Sequence, residues 1–152
     1  MALELDEIFY AALTANETLT SDTGGRIYST CVEVPPTDQD NTPLPYIIIT
    51  DDGLQNDPGT KDNVWESEED RVQASVEICA ASPKEVKRLT RLCRKAIADY
   101  IEAMQTEPPY LVSLTTDGTA WDWTKPCYYK TLQYQCDMSN IQDDEDDEQD
   151  EE

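Results

Sequence analysis

Residues 71–97 read RVQASVEICAASPKEVKRLTRLCRKAI and hold a strand pattern, a helix start and most of a helix in one continuous stretch. Apolar side chains alternate with polar ones from Val72 to Ala80, which is the period of a half-buried strand. Ser82 is placed as an N-cap, Pro83 as the first helical residue, and Glu85 at the third position of a capping box. The stretch therefore predicts a strand over 71–80 that leads directly into a helix ending near Met104.

The predicted helix has two unlike faces. Its apolar residues fall on one side: Val86, Leu89, Cys93, Ile97 and Tyr100. The opposite side carries a basic line of Lys84, Arg88, Arg91 and Lys95. This line is either the solvated face of an amphipathic helix or a surface on which identical subunits pack head to tail, and the sequence leaves both interpretations open.

Two further strands come before this stretch. Helical spacing of apolar residues predicts an N-terminal helix over 3–15, and a β-type run follows over 26–34. The next run, 46–50, contains three consecutive isoleucines, which indicates a strand covered on both faces. Pro45 precedes it, a position at which a strand tolerates proline. The polar segment 51–67 predicts a long loop.

After the long helix, two more strands complete the predicted domain. They cover residues 110–115 and 127–138. The order of elements describes an α+β domain, with a mostly antiparallel sheet of about five strands and two helices packed on one face. We expect this domain to occupy residues 1–140 and residues 141–152 to form an acidic disordered tail, since that run contains almost nothing to bury.

Charge is the most unusual feature of the composition. The 152 residues include 33 acidic and 11 basic residues, a formal net charge of −22, and nine of the acids lie in the last ten residues. Such a surface repels phosphate backbones and anionic lipid, so we expect no membrane and no sequence-specific nucleic acid as partner. We also expect a soluble protein that is not exported, because no apolar run approaches a membrane span and the start does not resemble a secretory signal.

Catalytic and metal-binding signals are weak. The chain has no histidine, the commonest general base and transition-metal ligand, and no phosphate-binding glycine motif. Its five cysteines have wide spacings without CxxC, which favours free buried thiols. Acids around Gly53 leave a calcium site as a minor alternative to a plain turn-rich loop. We therefore expect no enzyme activity, no cofactor and no metal.

Tryptophans are the other candidate contact residues. Trp65 lies near the end of the predicted loop, and Trp121 and Trp123 lie in the connection before the last strand. The pair is either an aromatic edge that covers the sheet or an anchor for a partner, since Trp is enriched among residues that dominate binding energy. Together with the basic line of the helix, these three residues form the candidate subunit or partner interface.

The order of these motifs resembles a known family. Gly25-Arg26-Ile27-Tyr28, Pro45-Tyr46 and the strand 71–80 that leads through Ser82-Pro83 into a long helix are similar to the tail-completion or tail-terminator family of long-tailed bacteriophages. That family includes the λ-type tail terminators and siphophage minor tail proteins. The resemblance covers roughly residues 3–137 by order of elements.

The resemblance implies a non-enzymatic virion protein of the head–tail junction. Family members form a hexameric ring that caps the tail tube, ends its polymerisation and docks to the head connector. The implied partners are further copies of the chain, the tail tube protein and a head-completion or connector protein, with genome DNA passing through the ring. The implied location is the tail or neck of the virion, and the host cytoplasm during assembly.

Two other functions remain as alternatives. An acidic inhibitor that mimics DNA would bind a basic nucleic-acid-binding protein of the host, although regularly spaced carboxylates over the folded surface would suit it better than one terminal run. A carboxylate-metal hydrolase would need inward-facing acids on strands, and strand acids such as Glu33 and Glu77 are few and scattered.

Overall fold

The computed structural model describes residues 4–30, 43–57, 68–105 and 107–139, which form three helices and a six-stranded sheet. In chain order the elements are α1 (Leu5–Thr14), α2 (Glu17–Thr23), β1 (Ile27–Ser29), β2 (Tyr46–Asn56), β3 (Glu69–Ala80), α3 (Pro83–Glu102), β4 (Tyr110–Thr115), β5 (Ala120–Asp122) and β6 (Cys127–Ser139). The predicted α+β class is confirmed. Within these residues, no helix is long and apolar enough to cross a bilayer.

The sheet is open and mostly antiparallel. Its strand order is β1-β2-β3-β6-β4, and β5 pairs with β6 next to β4. Strand β1 runs parallel to β2, and every other pairing is antiparallel. Strands β3 and β6 pair along their whole length, from Glu69 opposite Ser139 to Ala80 opposite Tyr128, and so form the centre of the sheet.

The helices pack on one face of the sheet and bury the main core there. Phe9 of α1 meets Tyr134 of β6 edge to face, with ring centroids 4.7 Å apart. A smaller buried cluster lies on the opposite face: Tyr46, Ile48, Cys79 and Cys127. Ile47 and Ile49 belong to the main core and Ile48 to the smaller cluster, so the predicted cover on both faces of this strand is confirmed.

The start of α3 follows the predicted capping pattern. The Ser82 hydroxyl oxygen accepts a hydrogen bond from the Glu85 backbone N–H at 3.2 Å, and Pro83 is the first helical residue. This cap satisfies one of the backbone donors that every helix start leaves without an internal partner. The helix ends at Glu102, two residues before the predicted end.

Helix α2 was missed by the sequence analysis, which predicted only a turn between the first helix and β1. Its seven residues are mostly polar and carry no helical period, but Leu19 is fully buried. The Asn16 side-chain oxygen caps its start by accepting from the Leu19 N–H at 3.0 Å. Gly24 ends it with φ of 62°, a left-handed conformation that glycine adopts without strain. Caps and two buried side chains, Leu19 and Thr23, define this helix rather than periodicity.

The predicted loop over 51–67 is wrong in its first part. Strand β2 continues to Asn56 because residues beyond Asp51 pair with β3, with Leu54 opposite Val72. A bulge between Asp51 and Gly53 accommodates the polar segment, and the Gly53 N–H donates to the Asp51 carboxylate at 2.9 Å. The rest of the predicted loop, with Trp65, lies outside the described residues.

Other predicted boundaries are only partly tested. Strand β1 covers Ile27–Ser29, and residues 31–34 of the predicted strand lie outside the described residues. The predicted acidic tail at 141–152 lies outside them as well, and so does Cys31. Strand β5 was not predicted, because three residues are too few to show a period.

Arg26 connects β1 to the start of β2. Its Nε donates to the Pro45 carbonyl at 3.2 Å and its Nη2 to the Leu44 carbonyl at 3.3 Å, and the peptide bond between those two residues is cis. The Ile47 N–H donates in turn to the Arg26 carbonyl at 3.0 Å. A Cβ at Gly24 would lie 2.6 Å from Arg26 Nη1, so glycine leaves room for this contact. The Gly-Arg-Ile and Pro-Tyr motifs are thus one structural unit.

Candidate interaction surfaces

Helix α3 carries a surface that we call the basic stripe. It consists of six exposed residues: Lys84, Lys87, Arg88, Arg91, Arg94 and Lys95. Arg88 Nη1 pairs with Asp22 Oδ2 of α2 at 2.7 Å, and Lys95 Nζ lies 3.4 Å from Asp99 Oδ2 one turn further along α3. Both pairs are largely solvated, where an ion pair contributes about 0–1 kcal/mol.

The other four stripe residues have no acidic partner among the described residues. Salt bridges there involve Arg71, Arg88, Lys95 and Lys125, so Lys84, Lys87, Arg91 and Arg94 remain unpaired within that part of the chain. The stripe holds more than half of the 11 basic residues of a chain with a net charge of −22. Its positive potential is therefore available to an acidic partner.

Next to the stripe lies an apolar groove of about 510 Å³ between α3 and β4. Its floor and far wall are apolar: Phe9, Ile97, Ile101, Pro109, Leu111, Leu114, Tyr134 and Cys136. Arg91, Arg94 and Lys95 lie along its α3 side and belong also to the basic stripe. Glu102 of α3 lines it as well, so the groove combines an apolar interior with a helix side that carries three cations and one carboxylate.

The groove exists because α3 does not extend over the last strand of the sheet. Helix α3 packs on β3 and β6, whereas β4 lies beyond them. Leu111 and Leu114 of β4 lie opposite Cys136 and Tyr134, two core residues, and so point toward the helix side of the sheet. Leu111 nevertheless stays 52% exposed. The open side of the groove is therefore a candidate contact surface.

The second predicted surface is an aromatic group on β5 and the turn after it. Trp121 packs edge to face against Tyr128 of β6, with ring centroids 4.6 Å apart, and against Trp123 at 5.7 Å. Trp121 is 36% exposed and Trp123 is 84% exposed. Trp121 therefore covers the edge of the sheet, while Trp123 is held by one ring contact and presents most of its surface to solvent.

The turn that presents Trp123 is held by Asp122. Its Oδ1 accepts hydrogen bonds from the Thr124 N–H at 2.9 Å, the Thr124 hydroxyl at 2.6 Å and the Lys125 N–H at 3.4 Å. The hydrogen bonds from Thr124 to the charged carboxylate are the main reason why the pKa of Asp122 lies below its usual value. The exposed indole therefore projects from an ordered turn.

Uncharged polar residues line a depression on the sheet face opposite the helices. They come from the central strands and from β4: Gln73, Ser75, Ser113, Thr115, Gln133 and Gln135. Ser113 Oγ lies 3.3 Å from Gln135 Oε1 across β4 and β6. Asp52 is the one acidic residue along this depression. This depression is nearly neutral in a strongly acidic protein.

The buried cysteines are inert in this fold. Cys79, Cys93, Cys127 and Cys136 are free and buried, as predicted for the four that the structure describes. Burial raises the pKa of Cys79 and Cys93 to about 12 and that of Cys136 to about 11. A thiol with such a pKa is protonated at neutral pH, and the thiolate is the nucleophile. These side chains fill the core.

Within the described residues, no group of three or more acidic or cysteine side chains is placed to hold a metal ion. The acids considered as a calcium loop, Asp51, Asp52 and Asp57, lie instead along and just after β2. A strand spreads its side chains over two faces and along its length, so these carboxylates do not converge as a calcium loop requires.

The predicted contact residues form two separate surfaces. The basic line is on one helix, and Trp121 and Trp123 are on the far edge of the sheet. The groove was not predicted, and neither was the exposure of β4: Tyr110, Leu111 and Val112 are all exposed, and Leu111 among them lines the groove. The sequence feature that indicates this exposed strand is a mainly apolar run over 110–115 without clear alternation, directly after Pro108 and Pro109.

Comparison with known proteins identifies a shared fold. The gp17 protein of bacteriophage SPP1 superposes with a TM-score of 0.55 at 10% sequence identity, over 91% of each chain. A chain from the virion of a native gene transfer agent particle superposes with a TM-score of 0.50 at 12% identity, over 90% of this chain and 95% of that one. No family model matches the sequence, and no curated protein matches it significantly.

Identities this low establish similarity of fold alone. Both matches span nearly the whole of each chain, so the shared part is the complete domain rather than a common substructure. Membership of the tail-completion or tail-terminator family stays a prediction. One neighbour is a bacteriophage protein, and the other is a chain of a gene transfer agent virion.

Proposed function

We propose that this chain is a structural protein of a bacteriophage virion, located at the head–tail junction and free of catalytic activity. The observation that carries the proposal is the full-length fold similarity to a bacteriophage protein and to a chain of a virion particle. In its working state the protein forms a ring, a hexamer by the family resemblance, which caps the tail tube, ends its polymerisation and docks to the head connector. It acts in the tail or neck, after assembly in the host cytoplasm.

The surfaces of the domain support assembly with other proteins. The groove and the Trp123 turn expose apolar side chains at the β4 and β5 side of the sheet, and α3 adds a basic stripe to an otherwise acidic molecule. The basic stripe and the acidic remainder of the subunit are unlike surfaces, which suit head-to-tail contacts that close into rings when the rotation allows. Charge complementarity would fix the orientation of neighbouring subunits.

Partners follow from this arrangement. Beyond further copies of itself, the ring would contact the tail tube protein on one side and a head-completion or connector protein on the other. Genome DNA would pass through the opening, and a predominantly acidic or neutral lining would keep the phosphate backbone from adhering. The neutral polar face with Gln73 and Gln133 is the described surface that best suits such a lining.

The inhibitor that mimics DNA receives less support. A mimic presents carboxylates at phosphate-like spacing, whereas α3 turns six basic side chains outward. Nine of the acids lie together in one terminal run rather than over the folded surface. The fold similarity also points to particle assembly rather than to an inhibitor.

Deletion of the gene from the phage that encodes the chain tests the proposal. We expect electron microscopy of the lysate to show tails of uncontrolled length or tails not joined to filled heads. A plasmid copy of the wild-type gene should restore normal particles, and a Leu111→Asp copy should fail to do so. Glu107→Gln serves as the matched control, since it changes an exposed residue outside the groove lining. Normal infectious particles without the gene would refute the proposed role.

A further inference from the structure

The basic stripe and the groove form one continuous surface. Arg91, Arg94 and Lys95 belong to both, and the stripe continues from them toward Lys84 at the start of α3. A ligand that follows this surface meets apolar side chains first and then a row of cations. The complementary ligand is a peptide with an apolar residue followed by a run of acids.

The chain itself contains such a peptide. Residues 140–152 read NIQDDEDDEQDEE, in which Ile141 is the only apolar residue and nine acids follow it. The order of apolar and acidic groups in this segment matches the order of apolar and basic groups along the surface. Four stripe residues without acidic partners in the described part of the chain give the acids charges to neutralise.

The segment begins at the right place and is long enough. Strand β6 ends at Ser139, and Cys136, three residues earlier, lines the groove. Three strand residues span about 10 Å, so Ile141 starts within reach of the groove. Thirteen extended residues reach up to about 43 Å, and the 20 residues of α3 are about 30 Å long. The acids can therefore extend along the whole stripe.

We propose that residues 140–152 bind back onto the same chain, with Ile141 in the groove between α3 and β4 and the acidic run along the basic stripe. Single exposed ion pairs are weak, but a short tether supplies an effective concentration in the millimolar range, so weak contacts suffice. The contact uses only segments of this chain and does not depend on a ring. While the segment is bound it occupies the stripe, so an acidic neighbouring molecule must displace the segment in order to bind there.

Zero-length cross-linking of the full-length protein tests this contact. A carbodiimide joins a carboxylate to a lysine amine only when they touch, and peptide mass spectrometry then locates the link. We expect links from the acids of 143–152 to Lys84, Lys87 and Lys95. Lys125 is an internal control, because it pairs with Glu77 and should link there. The Lys95–Asp99 pair reports that the reaction has worked.

Isotope mixing distinguishes the same chain from a second copy. Equal amounts of unlabelled and ¹⁵N-labelled protein are cross-linked together, and links within one chain contain no mixed isotopes. Links of mixed isotope composition would overturn the proposal and assign the stripe to a neighbouring molecule. Links from the terminal acids to Lys125 as often as to the stripe would overturn it too. At 1 M salt, where the Debye length is about 3 Å, we expect the stripe links to fall about tenfold.

Two full-length variants separate the acidic contact from the apolar one. Converting the nine terminal acids to Asn or Gln should shift the backbone amide resonances of 84–95, whereas Ile141→Ser should shift mainly those of 111–114. The control variant carries Asp51→Asn, Asp52→Asn and Asp57→Asn and should leave α3 unchanged. If neither terminal variant moves any resonance outside 139–152, the proposal is wrong. Each readout is independent of ring formation and of the phage phenotype.

Discussion

The two halves of this sheet differ in how completely they are covered. On strands β1 to β3, helices cover one face and a second apolar cluster lies on the other, so that Ile47, Ile48 and Ile49 are all buried. On β4 and in the turn after β5, large apolar side chains remain open to solvent: Leu111 is 52% exposed and Trp123 is 84% exposed. The covered half accounts for stability, and the open half is where we expect partners to bind.

The largest difference between the halves should appear in core truncations. Phe9→Ala removes a fully buried ring that packs against Tyr134, and we expect a loss of about 3–5 kcal/mol in the free energy of unfolding. Leu111→Ala removes a half-exposed side chain and should cost less than about 1 kcal/mol. Urea denaturation followed by circular dichroism measures both. Equal losses would mean that the open half is as fully packed as the covered one.

Thiol reactivity should sharpen the same comparison. Cys93 has a pKa of about 12, against 9.0 for an ordinary thiol, because burial disfavours the thiolate. At pH 8 this leaves about a thousandfold less thiolate, so alkylation of folded Cys93 should be slower than that of the unfolded chain by about that factor or more. Mass spectrometry of iodoacetamide-treated protein gives the rate. Fast labelling of Cys93 in the folded protein would mean that the core opens readily.

The same pKa shift has a consequence for stability at high pH. Because the folded-state pKa is raised, the folded form retains its proton while the unfolded form loses it above about pH 9. The contribution of Cys93 is therefore complete below pH 9 and declines as the pH rises from there toward about 12. Thermal unfolding between pH 7 and 10.5 should show the decline, and Cys93→Ala should make it shallower.

Substitution of Arg26 should have an intermediate effect on stability, and substitution of Arg88 is the matched control. Arg26 donates to two carbonyls and is half-buried, so Arg26→Met should cost about 1.5–3 kcal/mol of unfolding free energy. Arg88 makes one exposed ion pair with Asp22, and Arg88→Met should cost about 0–1 kcal/mol. Chemical denaturation distinguishes the two. A larger loss of unfolding free energy for Arg88→Met than for Arg26→Met would mean that the Arg26 hydrogen bonds between β1 and the start of β2 contribute little to stability.

The smallest effect on stability should come from Trp123→Ala. The side chain is mostly exposed and keeps one ring contact, so we expect a change of about 0.5 kcal/mol or less. In the complementation assay, however, this variant should produce fewer infectious particles than wild type, because an exposed Trp on an ordered turn suits a binding anchor. Full complementation by Trp123→Ala would remove this residue from the proposed interface.

Local sequence patterns predicted the helices and strands that are determined by their own residues rather than by pairing with a distant strand. The strand 71–80 shows its buried face by alternation, and Ser82 with Pro83 places the start of α3 to the residue. The end of β2 was not predictable in this way, since polar residues such as Gln55 stay in the strand only because β3 pairs with them. Strand β5 likewise depends on its pairing with β6.

The candidate surfaces were predicted only in part, for a related reason. The basic line of α3 follows directly from helical geometry, and its four residues lie on the exposed side of the helix. The groove depends on strand order, which places β4 beyond the reach of α3 and leaves Leu111 uncovered. Strand order depends on contacts distant in sequence, and no local pattern contains it. Trp65 lies outside the described residues, so its predicted role is untested.

The proposed location of the protein is the head–tail junction of the virion. Its most direct test is to add a hexahistidine tag after Glu152 in the phage that encodes the chain, to label purified particles with nickel-coated gold, and to image them. We predict gold at the neck of the particle, between head and tail. Gold along the whole tail, gold over the head, or intact particles without the protein would contradict the account.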